Sequence, residues 1–156
     1  MNLHLYPSSV ESVLATDAAP AMVAEASRKA TDPRVSVAVA TVESAEGGYD
    51  TVVDTFGLCS VEDPVEALRA MARAAAPGGR VLLLEHGRSH YEWLNRVLDA
   101  HAATHLKRWG CSWNRDYDGV VAAAGLAGHV EVARRFHFGT TYFFVVRASP
   151  SADDKR

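Results

Sequence analysis

The sequence predicts an α/β fold whose sheet is mostly parallel and ends in an antiparallel C-terminal hairpin. Three observations carry that prediction. Tyr49-Asp50-Thr51-Val52-Val53-Asp54, then Asp63-Pro64, then Pro77-Gly78-Gly79-Arg80-Val81-Leu82-Leu83-Leu84 reads as strand, capped helix, glycine turn and strand, the order of a βαβ crossover. A similar strand–helix–strand pattern precedes it, with Val13 to Asp17, a helix opened by Pro20, and the alternating Val35, Val37 and Val39. Near the C-terminus, Val130 to Phe136 and Thr141 to Arg147 are two strands whose short link, His137 to Thr140 with Gly139, allows only an antiparallel hairpin.

Taken in order, Val13-Leu14-Ala15-Thr16-Asp17 is a short strand ending in an acid. Pro20 sits well at a first helical position, and Met22, Val23 and Ala26 share one helix face. The helix stops near Thr31-Asp32-Pro33, and Glu46-Gly47-Gly48 is a turn. The stretch 41–51 is too short for a helix with both its turns, so the second and third strands are expected to lie apart. Thr51 to Thr55 places apolar residues at consecutive positions, as in a strand covered on both faces.

Asp63 is a good N-cap, with Pro64 at the first helical position and Glu66 spaced for a capping box. Val65, Leu68, Met71 and Ala75 form the expected buried stripe, and Pro77-Gly78-Gly79 is expected to end the helix ahead of the strand at Val81 to Leu84. Ser89 and Glu92 repeat the capping-box spacing before Trp93, Leu94, Val97 and Leu98. A further helix over residues 117–124 stops at Gly125, a common residue just past a helix end.

At 156 residues, with 48% apolar and 22% charged residues, the chain is long enough for one domain with a core. A net charge of -3 with scattered Arg and Lys argues against a nucleic-acid surface. Cys59 and Cys111, the only cysteines, make no disulfide framework and suit a reducing compartment. No apolar run approaches the roughly 20 residues of a membrane helix, and Met1 to Tyr6 lacks the basic head and apolar stretch of a signal peptide. The polar tail 149–156 is expected to be disordered.

In open α/β sheets ligands bind at the carboxyl ends of the strands. Asp17, Thr41, Thr55 and His86 all fall just beyond expected strand ends, so one rim is expected to collect them. A carboxylate there suits a ribose, because it can accept hydrogen bonds from both hydroxyls. A plainer reading makes Asp17 a helix N-cap and Asp54 a solvent-facing strand end. Glu85-His86 is the strongest candidate for chemistry, since His titrates near neutral pH. His101 and His105 are spaced i, i+4, but no third ligand accompanies them, so an exposed helix surface is expected there and no metal. Cys59 is expected to be a small buried apolar group.

Four segments resemble one family, the class I S-adenosylmethionine-dependent methyltransferases, in the branch that includes ubiquinone/menaquinone-biosynthesis methyltransferases and their mitochondrial relatives. They are Asp17-Ala18-Ala19-Pro20-Ala21-Met22, the run Tyr49 to Ser60, Pro77-Gly78-Gly79-Arg80 running into Glu85-His86, and Gly110-Cys111-Ser112-Trp113-Asn114-Arg115. The resemblance implies a Rossmann-like sheet over residues 1–148, to which this chain supplies strands two to seven, and S-adenosylmethionine as cofactor. It implies that Asp17 holds the ribose, with Ala18 and Met22 near the adenine and Thr41-Val42 at the adenine edge. Asp54, Thr55 and Phe56 would line the methionine end. His86, Cys111 and Trp113 would line the pocket of a small, lipophilic acceptor, with His86 as the catalytic candidate. Where the family often has an acid near the adenine, Thr41 offers a neutral hydroxyl.

The glycine-rich turn of such folds comes about 20 residues before the ribose acid, and this sequence has no glycine before Gly47. The first strand and its glycine loop are therefore expected to be missing, with cofactor binding by the chain weak. That expectation leaves room for a non-catalytic relative retained as a binding module. A nicotinamide-dependent oxidoreductase fragment would use Asp17 in the same way, though the run 54–60 and Glu85-His86 disfavour it. The expected compartment is intracellular, cytoplasmic or mitochondrial.

Overall fold

The computed structural model describes residues 2–148, so the tail at 149–156 lies outside the described residues. The chain divides into two units, one ending at Ala45 and one beginning at Glu46.

In the first unit, β1 (Val13–Asp17) and β2 (Val35–Val39) pair in parallel without a register break, from Val13 opposite Val35 to Asp17 opposite Val39. A parallel pair needs a crossover, and α1 (Pro20–Lys29) supplies it. Pro20 occupies the first helical turn as expected, but the N-cap is Ala19, which has no side chain to cap with. Asp17 lies two residues ahead of the cap, and its Oδ1 accepts from the Ala19 N–H at 2.8 Å. Met22, Val23 and Ala26 share one helix face, as their spacing predicts. No α1 residue is buried, and Met22 is 52% exposed. The guanidinium of Arg34 pairs with Asp32 and donates to the carbonyls of Pro7 and Val10, at 2.9 and 2.7 Å, tying the leading segment to the start of β2.

The second unit contains β3 (Tyr49–Thr55), α2 (Pro64–Ala74), β4 (Ala75–His86), α3 (Glu92–Trp109), α4 (Tyr117–Ala123), β5 (Val130–Phe136) and β6 (Thr141–Arg147). Its sheet runs β3-β4-β6-β5, with β3 and β4 parallel and the other pairs antiparallel. The βαβ crossover is thus β3-α2-β4 and the hairpin is β5-β6, both where the sequence predicts them. β2 and β3 do not pair; they belong to different sheets, where the sequence led us to expect them apart within one sheet.

The core follows from strand alternation. Val81, Leu83 and Glu85 of β4 lie opposite Val146, Phe144 and Tyr142 of β6, and all six are buried. Ala67, Leu68, Ala70, Met71 and Ala74 of α2 and Tyr117 and Val121 of α4 add the helical share. β3 is the edge strand of its sheet, so Val53 stays 44% exposed, against the expectation of cover on both faces.

Two local expectations give way. The Pro77-Gly78-Gly79 turn lies inside β4, because the strand begins directly after α2 with Ala75 opposite Tyr49 and shifts register before Thr51 meets Arg80. Ser89 does not cap α3, which starts at Glu92 behind Tyr91. The Ser89 hydroxyl accepts from the Tyr91 N–H and donates to the Phe138 carbonyl, and its backbone is clasped by the Asn95 amide at 2.8 and 2.9 Å. Trp93, at the start of α3, is 62% exposed.

Candidate functional site

The first unit gathers its candidates at the C-terminal rim of the β1-β2 pair. The Ala40 N–H donates to the Asp17 carbonyl at 3.2 Å, so the exits of the two strands are adjacent. Asp17 and Ala18 are exposed, and the Asp17 carboxylate is oriented by its bond from Ala19. Thr41 is exposed as the N-cap of a short turn over Val42–Ser44, where its carbonyl accepts from the Ser44 hydroxyl at 2.8 Å, and Val42 is half-buried. Met22 projects from the first turn of α1.

In the second unit the parallel strands β3 and β4 end side by side, Thr55 opposite Leu84, and the Phe56 N–H donates to the Leu84 carbonyl at 2.9 Å. Immediately after β3 the chain turns sharply. Phe56 takes a left-handed φ of 55° and leads into a 3-10 turn at Leu58–Ser60. A Cβ on Gly57 would lie 2.2 Å from Asp54 Oδ1, so a larger residue there would displace that carboxylate. Two carboxyls hold the turn. Glu85 Oε1 accepts from the Gly57 and Leu58 N–H groups at 2.8 and 3.0 Å, and Asp54 Oδ2 accepts from Leu58 at 3.1 Å.

Glu85 is fully buried, and its Oε2 also accepts from the Tyr117 hydroxyl at 3.2 Å. Burial, and after it the neighbouring Asp54, push its carboxyl up to about 9. Strand alternation sends Glu85 into the core and His86 to the other side, so the candidate pair divides. Glu85 shapes the turn and His86 alone faces the rim.

His86 is half-buried, its ring 5.3 Å from that of Phe56, and its Nε2 lies 2.7 Å from the Cys111 thiol. Burial, and then the charge on His105, hold the imidazole below its usual range. Cys111 follows Gly110, whose φ of 68° ends α3 and sends the chain back across the rim. The Ser112 N–H then donates to the Cys59 carbonyl at 2.8 Å, which brings Cys59 to the same place. Cys59 Sγ, His86 Nε2 and Cys111 Sγ all lie within 4.8 Å of one another. Burial pushes the Cys59 thiol up to about 12.

Trp113 does not join that cluster through a polar atom. Its indole N–H donates to the Leu98 carbonyl at 3.0 Å and its ring stacks on His105 at 3.9 Å. His105 is thereby taken up by stacking, and His101 bonds through Nδ1 to the Val97 carbonyl at 2.9 Å, so the i, i+4 pair is a helix surface. Sequence reasoning placed His86 at the rim, Cys111 in the acceptor pocket by resemblance, and Cys59 as a small buried apolar group. Cys59 is buried and also reaches the rim, a position no local spacing signals, because the three residues come from the turn after β3, the end of β4 and the segment after α3.

The methyltransferase-domain family profile matches residues 2–83. Over 99 residues the chain is 44% identical to the mitochondrial methyltransferase OMS1 of Saccharomyces cerevisiae, covering 64% of this chain and 21% of that protein. It is 42% identical over 62 residues to the ubiquinone/menaquinone biosynthesis C-methyltransferase UbiE of Cronobacter sakazakii, covering 40% of this chain and 25% of that one. The chain thus spans a fifth to a quarter of these relatives. Among solved structures, a chain of the complex between the Haloferax volcanii Trm112 methyltransferase activator and a methyltransferase superposes with a TM-score of 0.69 at 17% identity, covering 89% of this chain and 73% of that one. The Rossmann-like methyltransferase fold read from the sequence is the fold observed.

Proposed function

We propose, on the premise that this chain belongs to the methyltransferase-domain family, that it is an S-adenosylmethionine-dependent methyltransferase domain acting on a small, lipophilic acceptor. The observation that carries the cofactor reading is Asp17, an exposed carboxylate oriented at the C-terminal exit of a parallel strand pair. Such a group can accept from both hydroxyls of a ribose. In the first unit Ala18, Met22, Thr41 and Val42 are the candidates for the adenine. In the second, Asp54, Thr55 and Phe56 are the candidates for the methionine end. His86 and Cys111 would face the acceptor, with Trp113 bracing the segment that carries Cys111.

S-adenosylmethionine, when bound, supplies an electrophilic methyl group. What the protein adds is chiefly alignment, so a dedicated base is optional. His86, held neutral at physiological pH by burial, suits orienting the acceptor or taking its proton. The relatives named for ubiquinone/menaquinone biosynthesis support a lipophilic acceptor, and the yeast relative supports a mitochondrial setting over a cytoplasmic one. The glycine-free stretch ahead of Gly47 supports an affinity weaker than micromolar for the 156-residue chain.

The test is an NMR titration of the ¹⁵N-labelled chain with S-adenosylmethionine, with NAD in parallel, because a ribose-binding acid would serve either. Shifts confined to S-adenosylmethionine and centred on Asp17 support the reading. Asp17→Ala should weaken binding by about 1.5–3 kcal/mol, the range for a hydrogen bond to a charged group. An unchanged affinity removes Asp17 from the site, and a preference for NAD overturns the cofactor. A micromolar constant for the unaltered chain overturns the expectation of weak binding.

A further inference from the structure

We propose that Cys59, His86 and Cys111 form a binding site for a thiophilic divalent metal, zinc above all, with two thiolates and one imidazole as ligands and a fourth position open. Their donor atoms lie within 4.8 Å of one another, and each comes from a different, well-supported segment. In a tetrahedral site with Zn–S bonds of ~2.3 Å and Zn–N bonds of ~2.0–2.1 Å, neighbouring ligand atoms stand roughly 3.5–3.8 Å apart. The present cluster brackets that spacing, with His86 Nε2 at 2.7 Å from Cys111 Sγ as its tight edge. A small outward turn of the two side chains admits the ion.

The donor set is itself selective. Two sulfurs and an imidazole nitrogen favour zinc over the oxygen-seeking magnesium or calcium, and three protein ligands leave one position for solvent or an incoming group. The supports are rigid. Cys59 is in the 3-10 turn pinned by Glu85 and Asp54, and His86 ends the central strand β4. Cys111 is tied through Ser112 to the Cys59 carbonyl. Ser60 Oγ, 3.6 Å from Cys59 Sγ, is a ready donor to a thiolate. Cys59 and Cys111 are buried as thiols, and metal binding would convert them to thiolates, releasing their protons to solvent as the ion enters.

The inference stands apart from the cofactor reading, since none of the three residues is a cofactor candidate and the ligand is an ion. A metal here would take up the lone pair of His86 Nε2, so the ion-bound form could not use that nitrogen as a base.

Cobalt(II), a spectroscopic stand-in for zinc, decides the matter in the full 156-residue chain under reducing conditions. The expected result is one equivalent bound per chain, with an intense visible d–d band and a thiolate-to-cobalt charge-transfer band, both displaced by stoichiometric zinc. Cys59→Ala, Cys111→Ala and His86→Gln should each weaken binding by more than the about 10–100-fold typical of losing an outer partner of a metal ligand. Should a cysteine variant fail to fold, His86→Gln, at a half-buried strand end, carries the test alone. Absence of the charge-transfer band in the unaltered chain overturns the proposal. So does metal binding that survives His86→Gln unchanged.

Discussion

Glu85 occupies a place where a carboxylate is costly, and the structure answers by keeping it protonated. Its folded pKa of about 9 stands above the unfolded value of about 4.3, so between those limits the folded chain binds the extra proton. The stability this contributes is complete below the unfolded value and is lost as pH rises through the folded one. The melting temperature should therefore fall between pH 5 and pH 9, roughly as those two limits dictate. Glu85→Gln keeps an acceptor for the Gly57 N–H without titrating, so thermal melts of this variant should lose that slope. Parallel slopes in the two proteins would remove Glu85 as its source. Glu85→Ala takes the acceptor from the half-buried Gly57 N–H and from the buried Tyr117 hydroxyl, while Leu58 retains Asp54, and should cost about 1–3 kcal/mol. Sequence reading found Glu85-His86 as a pair but could not divide their roles, because the division depends on which side of β4 faces α4. The cysteines raise the same difficulty. The resemblance assigned Cys111 to the acceptor pocket, whereas Cys59 is brought to it by the Ser112 bond, and no periodicity within either segment encodes that contact.

Elements were most legible where backbone chemistry is local. Asp63 caps α2 as its position before Pro64 predicts, accepting from the Val65 and Glu66 N–H groups at 3.0 Å each. The reciprocal half of the capping box is absent, because Glu66 turns outward to Arg73 at 2.8 Å. Asp63→Ala should thus cost about 1 kcal/mol, the ordinary loss of a cap, visible as a drop of roughly 4 °C in melting temperature. No change in the melt would mean that packing alone fixes the start of α2. Ser89 shows why the same spacing failed at α3. Its hydroxyl and backbone were already claimed by Phe138, Tyr91 and Asn95, contacts that include a residue 49 positions away. The turn after β4 has a constraint that sequence alone does not display either. A Cβ on Gly87 would stand 2.3 Å from the Arg115 carbonyl and 2.9 Å from ring carbons of Tyr117 and Tyr142. The first contact is backbone and the rings are buried, so Gly87→Ala cannot be relieved by a side-chain swing. It should depress the melting temperature well beyond the Asp63→Ala shift, and equal losses would mean that the 110–116 segment yields easily.

At the scale of the molecule, the two units differ in how their strands are secured. Among the described residues, every one of the buried core, from Leu58 to Val146, belongs to the second unit. The first holds one parallel pair and one helix with no buried residue, and such a two-stranded sheet is marginal by itself. The sequence revealed its strands and helix, since valine alternation and Pro20 are local signals, but not that Met22 and its neighbours stay open, which depends on what covers them. Opening free energies should differ accordingly. Amide hydrogens of β4 and β6 should exchange near the global unfolding limit, protected on both edges by ladder partners. Those of β1 and β2 should exchange faster by a factor of roughly 100 or more, equivalent to about 3 kcal/mol. Hydrogen–deuterium exchange followed by mass spectrometry reads both regions in one experiment. Because Asp17 lies at the end of β1, a ligand that bonds to its carboxylate must hold that strand exit closed. Saturating S-adenosylmethionine should therefore slow exchange in β1 and β2 while leaving β6 unchanged. Equal protection of the two units in the free protein, or cofactor protection that bypasses β1, would show that the first unit is held in some other way.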